Sequence, residues 1–396
     1  MEGDFALYWW GSFCLSFVYS TTSFLTPFLV LGQTRSPVWA GITAAAGVTA
    51  RFISPTFLGE ISDRLGIKKV ILIFSSLTVL LCLVLVAVSQ GKIGLLALCL
   101  IRFALGTAYT ALTFGTTVSV PHLVSKDRLI QANSNLMTGT YAAELIGPLI
   151  AGWASMNLGM APVLIACSGA SALGAALFLA IKFPQFQTAD QTPFDFSIGW
   201  KFFREKSEPS QKLLALMKVN FFCYVGLYVL YALFNFYCAS VLNLTNAIIG
   251  LINAASKAFG ILLSALTPWI EKRFGEGILL AASAASLIGS LILMAFVSGA
   301  LGCAIALCLA MVPQVIITII ARVLRQRLIP QEIMGRVSGF YSTIAVGSST
   351  ILSPFSGFGA VFLGYPALFL ATAALCSIGI FWSGPEIWME AVKAEK

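Results

Sequence analysis

Twelve long apolar runs, separated by short polar connections, constrain the fold of this chain more than any other feature. A helix needs about 20 apolar residues to cross a bilayer, where every backbone polar group must be bonded within the protein. The runs lie near residues 5–31, 39–58, 70–90, 93–119, 133–158, 162–181, 213–241, 247–270, 277–297, 300–321, 336–359 and 364–384. They predict an all-α membrane protein of twelve transmembrane helices. With 58% hydrophobic and 10% charged residues, the chain has too few polar side chains to cover a soluble domain.

Lysine and arginine are distributed unequally between the two sets of loops. Short cytoplasmic loops accumulate these residues. One set, with the C-terminal tail, holds eighteen of them: Arg64, Lys68, Lys69, Lys126, Arg128, Lys182, Lys201, Arg204, Lys206, Lys212, Lys272, Arg273, Arg322, Arg325, Arg327, Arg336, Lys393 and Lys396. The opposite set holds Arg35 and Lys92. Both termini are therefore expected in the cytoplasm, in a multi-pass protein of the inner membrane, and the net charge of +8 does not imply a nucleic-acid partner.

The N-terminus is acidic, with Glu2 and Asp4 where a signal peptide carries basic residues, so the first helix is expected to be retained. A polar stretch at 183–211 divides the runs six and six. It predicts an N-terminal bundle (1–183), a cytoplasmic linker (184–211) and a C-terminal bundle (212–396). Residues 194–204 of the linker mix aromatic and basic side chains, which suits an amphipathic surface segment or a plain solvated linker.

The two halves repeat each other and carry three recognisable motifs. Arg64 and Gly66 recur as Arg273 and Gly275, 209 residues later, and a repeat of six helices is a known transporter plan. The motifs are Gly59-x-x-x-Asp63-Arg64-x-Gly66-x-Lys68-Lys69, Arg102-x-x-x-Gly106 and Ile146-Gly147-Pro148-Leu149-Ile150-Ala151-Gly152. The first resembles the signature loop of the major facilitator superfamily, the second its helix-4 motif and the third its antiporter motif. The resemblance implies a transporter fold of two six-helix bundles.

Further segments resemble one branch of that superfamily. They are 123–129 with Ala132 and Asn133, 329–332 with 335–337, and 199–203. Together they are similar to the macrolide-efflux and enterobactin-exporter group, which implies export of a siderophore or drug-like compound. The helix-5 motif (Gly147, Pro148, Gly152) departs from the antiporter pattern, because Ala143 and Ala151 stand where glycines are usual.

The loop motif is interpreted as a conformational latch formed by Gly59, Asp63, Arg64, Gly66 and Lys68. Its glycines permit tight turns. Asp63 can pair with a base or a helix N-terminus in the other half, and Arg64 and Lys68 can bind acidic or carbonyl groups there. Such bonds would form in one conformation and break in another.

Glu144 is the one acid in the middle of a run, and Arg51, Arg102 and Lys257 also lie within runs. Charges at this depth are costly and face the protein interior. Glu144 and Lys257 can change charge, so they are candidates for proton coupling. The alternatives for Glu144 are a structural ion pair and a direct contact with the substrate, and the alternative for Lys257 is a snorkelling side chain. Arg51, Arg102 and Lys257 are candidates for binding an anionic substrate.

Aromatic residues supply the other candidate binding positions. Tyr224, Tyr228, Tyr231 and Asn235 form one stripe of a helix and would suit a bulky ligand, although helix packing and interfacial belts also explain aromatic residues. Tyr109 lies on a second stripe in the fourth run.

These features favour a proton-coupled secondary transporter that exports a small amphipathic anion, with uptake by symport and lysolipid transport as alternatives. An enzyme is a remote alternative, because the sequence lacks HExxH, GxSxG and nucleotide-binding motifs. The nine cysteines all lie in apolar runs without a CxxC pair, and we expect them to be buried hydrophobes, without disulfides, metal or another cofactor. The expected partners are the substrate, protons and the bilayer, with the chain a monomer.

The basic asymmetry predicts the orientation of the chain. A reporter fused to the C-terminus should report the cytoplasm, and a reporter inserted at Gly159 should report the opposite side. Protease protection or an activity-based reporter in intact cells measures both positions. The reverse result at either position would refute the predicted orientation.

Overall fold

The structure is a computed structural model that describes residues 3–91, 94–182, 197–205 and 207–383, without the side chains of residues 37 and 348–355. These residues form α-helices joined by short turns. The helices are α1 (Gly3–Thr34), α2 (Pro37–Leu65), α3 (Ile67–Gln90), α4 (Leu95–Leu123), α5 (Leu129–Leu158), α6 (Met160–Ala180), α7 (Ser197–Arg204), α8 (Glu208–Ser240), α9 (Asn246–Phe296), α10 (Ala300–Leu328), α11 (Met334–Leu363) and α12 (Tyr365–Ser383).

The predicted apolar runs coincide with helices, and α9 contains two of them. Gly275 divides α9, because its φ of 76° and ψ of 159° are not helical. In the described part of the chain, eight helices are long and apolar enough to cross a membrane: α1, α3, α4, α6, α8, α9, α10 and α12. The count of twelve spans and the cytoplasmic termini remain predictions.

The internal repeat is visible in the backbone. Gly66 after α2 has φ 79° and Gly275 has φ 76°, while Gly159 after α5 and Gly364 after α11 have φ 85° and 78°. These left-handed conformations favour glycine. Short 3₁₀ turns also precede α5 (Lys126–Arg128) and α11 (Gln331–Ile333). Equivalent turns therefore occur at equivalent places in the two halves of the sequence.

The chain divides into two packed units. Unit 1 contains Met1–Ala132, Gly139–Gly199 and Ile329–Thr343, and in it α2 packs on α4 while α6 packs on α3 and α1. Unit 2 contains Asn133–Thr138, Trp200–Leu328 and Ile344–Lys396, and in it α9 packs on α10 while α12 packs on α8 and α9. The predicted domain limits remain predictions. Residue 183, residues 184–196 and 206 of the predicted linker, and the basic tail with Lys393 and Lys396 lie outside the described residues.

The described part of the amphipathic linker segment is helix α7. Phe202 and Phe203 are buried, whereas Trp200, Lys201 and Arg204 are exposed. The segment is therefore amphipathic where it is described, and residues 194–196 lie outside that part.

Within unit 1, α2 and the first turns of α11 cross at Gly59, Gly335 and Gly339. A Cβ at Gly59 would collide with the carbonyl of Gly335, and a Cβ at Gly335 would collide with Asp63. The hydroxyl of Thr56, one turn from Gly59, lies 2.7 Å from the hydroxyl of Thr343, two turns from Gly335. The glycines allow backbone contact, which brings polar groups of the two helices within bonding distance.

Gly59→Val is expected to destabilise the protein, because the new side chain cannot fit at this crossing and overpacking costs about 1–3 kcal/mol. Thermal unfolding of the purified protein measures the effect as a lowered melting temperature. The matched control is Gly41→Val in the same helix, where the position of an added Cβ is open. Equal melting temperatures for the two variants would show that the crossing is not tightly packed.

Candidate functional site

Two arginines and two tyrosines form a column inside unit 1. The Cζ of Arg102 lies 5.5 Å from the ring centroid of Tyr19. The rings of Tyr19 and Tyr109 are stacked, with centroids 3.9 Å apart and planes 3° apart. The Cζ of Arg51 lies 5.7 Å from the ring centroid of Tyr109. This Arg–Tyr column (Arg102, Tyr19, Tyr109 and Arg51) thus has a cation on each outer face of the stacked rings, an attractive arrangement.

The column is built by helical spacing and by two glycines. Arg102 and Tyr109 are seven residues apart in α4, which places them two turns apart on one face. Gly106 lies between them and permits close contact with the backbone of Gly47 in α2. Gly47 in turn leaves room for the guanidinium of Arg102, since a Cβ there would crowd it. The motif Arg102-x-x-x-Gly106 therefore combines a charge with a close helix contact.

Arg102 is buried without a carboxylate partner among the described residues. Its side chain is 4% exposed, and Nη2 donates a hydrogen bond to the Ser23 hydroxyl at 3.1 Å. Nη1 is buried without an acceptor in the described structure. An arginine at the bilayer centre costs about 2.5–3.5 kcal/mol on insertion scales, which is an upper value for Arg102 near the start of α4, and a desolvated cation–π contact returns about 2 kcal/mol. The tyrosine ring thus offsets much of the cost, and one donor remains available to an anion.

Glu144 belongs to unit 1 and is half-buried on α5. The helix-5 motif packs this helix on α1. Gly147 lies close to Ser20 and Thr21, and Gly152 faces the ring of Phe24. Glu144 precedes Gly147 by one turn, so its turn of α5 lies near the part of α1 that carries the column residue Tyr19.

The predicted aromatic stripe lies in unit 2 and faces α10 and α9. The hydroxyl of Tyr224 is 3.3 Å from the Thr318 hydroxyl, and that of Tyr231 is 3.6 Å from Met311 Sδ. The rings of Tyr224 and Tyr228 are 6.0 Å apart. Helix packing therefore uses two of the hydroxyls on this stripe.

Lys257 also belongs to unit 2 and is half-buried on α9. One turn before it, Asn253 Nδ2 donates to Asn235 Oδ1 at 3.2 Å. The end of the aromatic stripe is therefore brought beside the turn that carries Lys257. The structure thus groups Arg51, Arg102, Tyr109 and Glu144 in unit 1, and the stripe with Lys257 in unit 2.

Asp63 caps the first turn of α11 inside unit 1. Its Oδ1 accepts from the backbone N–H of Gly335 at 3.0 Å, and its Oδ2 accepts from the backbone N–H of Arg336 at 3.0 Å. Arg336 Nε also donates to Oδ2 at 3.2 Å. A carboxylate at a helix N-terminus meets unsatisfied donors and the positive end of the helix dipole. Asp63 thus meets both a base and a helix N-terminus from the second half of the sequence.

Burial changes the proton affinity of this carboxyl group. Asp63 lies beyond the predicted run 39–58, and burial raises its pKa to about 6, although the bonds from Arg336 and Gly335 act in the opposite direction. Asp63 is therefore mostly ionised at pH 7 and mostly protonated at pH 5.

Two basic residues of the motif, Arg64 and Lys68, bond to groups in their own half of the chain. Arg64 Nε donates to Glu60 Oε1 at 2.8 Å, one turn earlier in α2. Lys68 Nζ donates to the carbonyls of Leu179 and Ile181 at 3.0 and 2.6 Å. Lys68 therefore binds carbonyls at the end of α6, in its own half of the chain. Its compact ammonium suits the exposed carbonyls at a helix C-terminus.

Unit 2 contains uncharged bonds between the two halves of the sequence that the motifs did not predict. Asn133 Nδ2 donates to Gln326 Oε1 at 2.8 Å, and the hydroxyls of Thr138 and Ser264 are 2.9 Å apart. All four side chains except Thr138 are buried. These bonds join the first turns of α5 to α10 and α9.

Sequence reasoning also missed Tyr19, Ser23 and Gly47 as parts of the site. A helical signal was present, because Tyr19 and Ser23 are one turn apart, as are Gly47 and Arg51. The signal is weak without knowledge of which helices pack together.

A repeated helical plan with charged residues inside the helices is typical of multi-pass transporters. The chain belongs to the Major Facilitator Superfamily, whose family model matches residues 8–354. This membership indicates a transporter, not an enzyme. No curated protein sequence matches the chain significantly.

Solved structures share the fold at low sequence identity. The human organic anion transporter MFSD10 (TETRAN) is 15% identical with a TM-score of 0.81, and the match covers 96% of this chain and 99% of that one. FucP in the outward conformation is 17% identical with a TM-score of 0.76 over 96% and 97% of the chains. A bacterial homologue of the iron transporter ferroportin, in an outward-facing state, is 17% identical with a TM-score of 0.74 over 98% and 99%.

Asp63→Asn is expected to lower transport while membrane insertion and abundance stay near normal, because it removes one charge from a contact that retains its shape. Since Asp63 becomes protonated below about pH 6, the ratio of wild-type to variant rates should approach one at pH 5. Transport assays in vesicles from pH 5 to 8 measure the ratio.

The control is Asp127→Asn, the same change at an exposed carboxylate. Full transport by a normally expressed Asp63→Asn protein would show that this loop only helps to set the topology of the chain.

Proposed function

We propose that this chain is a proton-coupled secondary transporter of the inner membrane that exports a small amphipathic anion, such as a carboxylate-bearing siderophore or drug-like compound. Arg102 and Arg51 are assigned to the acidic group, and the tyrosines of the Arg–Tyr column to the apolar body. The aromatic stripe and Lys257 supply a second binding surface.

The buried donor of Arg102 carries this proposal. A guanidinium already paired with a carboxylate would have no reason to bind cargo. Arg102 is held by Ser23 and by the Tyr19 ring, while Nη1 has no acceptor in the described structure. An acidic group that reaches Nη1 would gain a charge-assisted hydrogen bond, which is about twice as strong as a neutral one. The structural neighbours share the fold only, so the cargo class is argued from these side chains.

The direction is supported by electrostatics and by the helix-5 motif. In a cell with a negative interior, outward movement of an anion and inward movement of a proton both follow the membrane potential. Each elementary charge contributes about 2.3 kcal/mol per 100 mV. Uptake of the same anion would move its charge against the membrane potential. The resemblance of Gly147, Pro148 and Gly152 to the antiporter motif points in the same direction.

Glu144 is proposed as the group that exchanges protons, with Lys257 as the other candidate. A proton antiporter needs a side chain that changes charge, and arginine stays protonated. Glu144 lies on the turn of α5 that packs near Tyr19, so its charge would act on the same region as Arg102.

Arg102→Gln is expected to abolish export of the anion, because glutamine keeps a polar side chain without the positive charge. Cells that lack the transporter should accumulate an anionic or carboxylated product, and Arg102→Gln should not restore its export. Metabolite profiling of cells and medium measures this. The control is Arg273→Gln, which removes an exposed arginine. Resistance confined to cationic dyes, with no anionic cargo retained, would refute the anion proposal.

Glu144→Gln is expected to abolish accumulation against a gradient while ligand binding survives, because it keeps the shape of the side chain but cannot titrate. Proton-driven transport in vesicles, ligand binding and abundance are measured together. A loss of abundance would indicate a structural ion pair instead. Undiminished, pH-dependent accumulation would assign proton exchange to Lys257.

A further inference from the structure

Helices α8 and α10 meet in a regular antiparallel seam. Three contacts mark it: Tyr224 with Thr318, Tyr231 with Met311, and Cys238 with Cys303. Successive contacts are seven residues apart on α8 and seven or eight apart on α10, which corresponds to two helical turns. The third contact therefore lies in the same register as the two tyrosine contacts, and helix packing holds its residues opposite each other.

The third contact is a pair of buried thiols. Cys238 Sγ is 3.6 Å from Cys303 Sγ, and each side chain is 0% exposed. The neighbouring residue Tyr237 reaches the carbonyl of Val297 with its hydroxyl at 3.5 Å and packs against the rings of Tyr365 and Phe369. These contacts hold the two sulfurs opposite each other, and local opening of the two helix ends exposes them to an oxidant.

The pair lies near the ends of both helices. Cys238 is two residues before the end of α8 at Ser240, and Cys303 is three residues after the start of α10 at Ala300. The predicted topology places both ends on the side away from the cytoplasm. That compartment is oxidising in bacteria, where disulfides form and persist.

We propose that Cys238 and Cys303, contrary to the expectation from the sequence, form a reversible disulfide that joins α8 to α10. The oxidant is a disulfide, of a protein or a small molecule, on the side away from the cytoplasm. One cysteine thiolate attacks a sulfur of this disulfide, forms a mixed disulfide and releases the oxidant's other sulfur as a thiolate. The second cysteine thiolate attacks the cysteine sulfur of the mixed disulfide and releases the oxidant's remaining sulfur. The two protons lost by the cysteines pass to the oxidant's two sulfurs, which take up two electrons. The Sγ–Sγ distance shortens from 3.6 Å to the covalent value of about 2.05 Å.

Other cysteines make contacts of a different kind. Cys376 Sγ donates to the carbonyl of Phe222 at 3.2 Å, and Cys99 Sγ is 3.7 Å from the Thr43 hydroxyl. Cys82 and Cys167 share a small buried cluster with Val18 in unit 1 and lie farther from their helix ends. Cys82 and Cys167 therefore provide the matched control for buried cysteines on neighbouring helices.

The test uses the full chain in lipid nanodiscs, treated with oxidised glutathione and then denatured in the presence of a maleimide that adds mass to each remaining thiol. The wild type should lose two of its nine reactive thiols, and mass spectrometry should recover one peptide pair joined through Cys238 and Cys303. Dithiothreitol should restore all nine thiols. Cys303→Ala and Cys238→Ser should show no such loss, whereas Cys167→Ala should behave as the wild type.

Oxidation should also raise the melting temperature of the wild type by several degrees and leave that of Cys303→Ala unchanged, because a cross-link restricts the unfolded chain. Nine reactive thiols after oxidation, or a linked peptide pair from other cysteines, would overturn the proposal. The wild-type peptide map distinguishes these outcomes even if a variant fails to fold. Cargo export plays no part in the readout, so failure here is independent of the proposed function.

Discussion

A positive charge in the interior of a membrane protein must be matched, and among the described residues Arg102 is matched by a tyrosine ring and a serine hydroxyl. The Tyr19 ring and the Ser23 hydroxyl hold the Arg102 guanidinium, while Arg51 covers the opposite face of the stacked tyrosines. A carboxylate partner would bind Arg102 more strongly but would also compete with an anionic cargo. In the proposed function, the aromatic rings stabilise the guanidinium and still allow an acidic group to bind and leave.

Two long helices, α2 and α5, carry many polar side chains. In the described part of the chain, their most apolar stretches are less apolar than those of the eight helices that could cross a membrane. The same helices carry bonds between the two halves of the sequence: Asp63 with the first turn of α11 in unit 1, and Asn133 and Thr138 with α10 and α9 in unit 2. One set is charged and the other is neutral. We interpret both as contacts that break and reform during transport, since their groups can return to water at little cost.

The sequence predicted which residues form helices, but not which face each helix turns toward its neighbours. Apolar runs locate helices because bilayer length and backbone hydrogen bonding leave few alternatives. Their positions within the apolar runs made three residues recognisable as candidates: Arg51, Arg102 and Tyr109. Their order in the column depends on Tyr19, which comes from another helix. Lys68 was assigned to the opposite half because a motif does not specify which carbonyls lie within reach. Asp63 and Arg336 are 273 residues apart, so only packing reveals their contact.

The most direct test of the central claim is a density map of the protein with its anionic cargo bound. An oxygen of the acidic group is expected within hydrogen-bond distance of Arg102 Nη1, about 2.7–2.9 Å, with the body of the cargo against the rings of the column. Cargo bound elsewhere, with the Arg102 guanidinium still enclosed by Tyr19 and Ser23 alone, would contradict the assignment of this arginine to the anion.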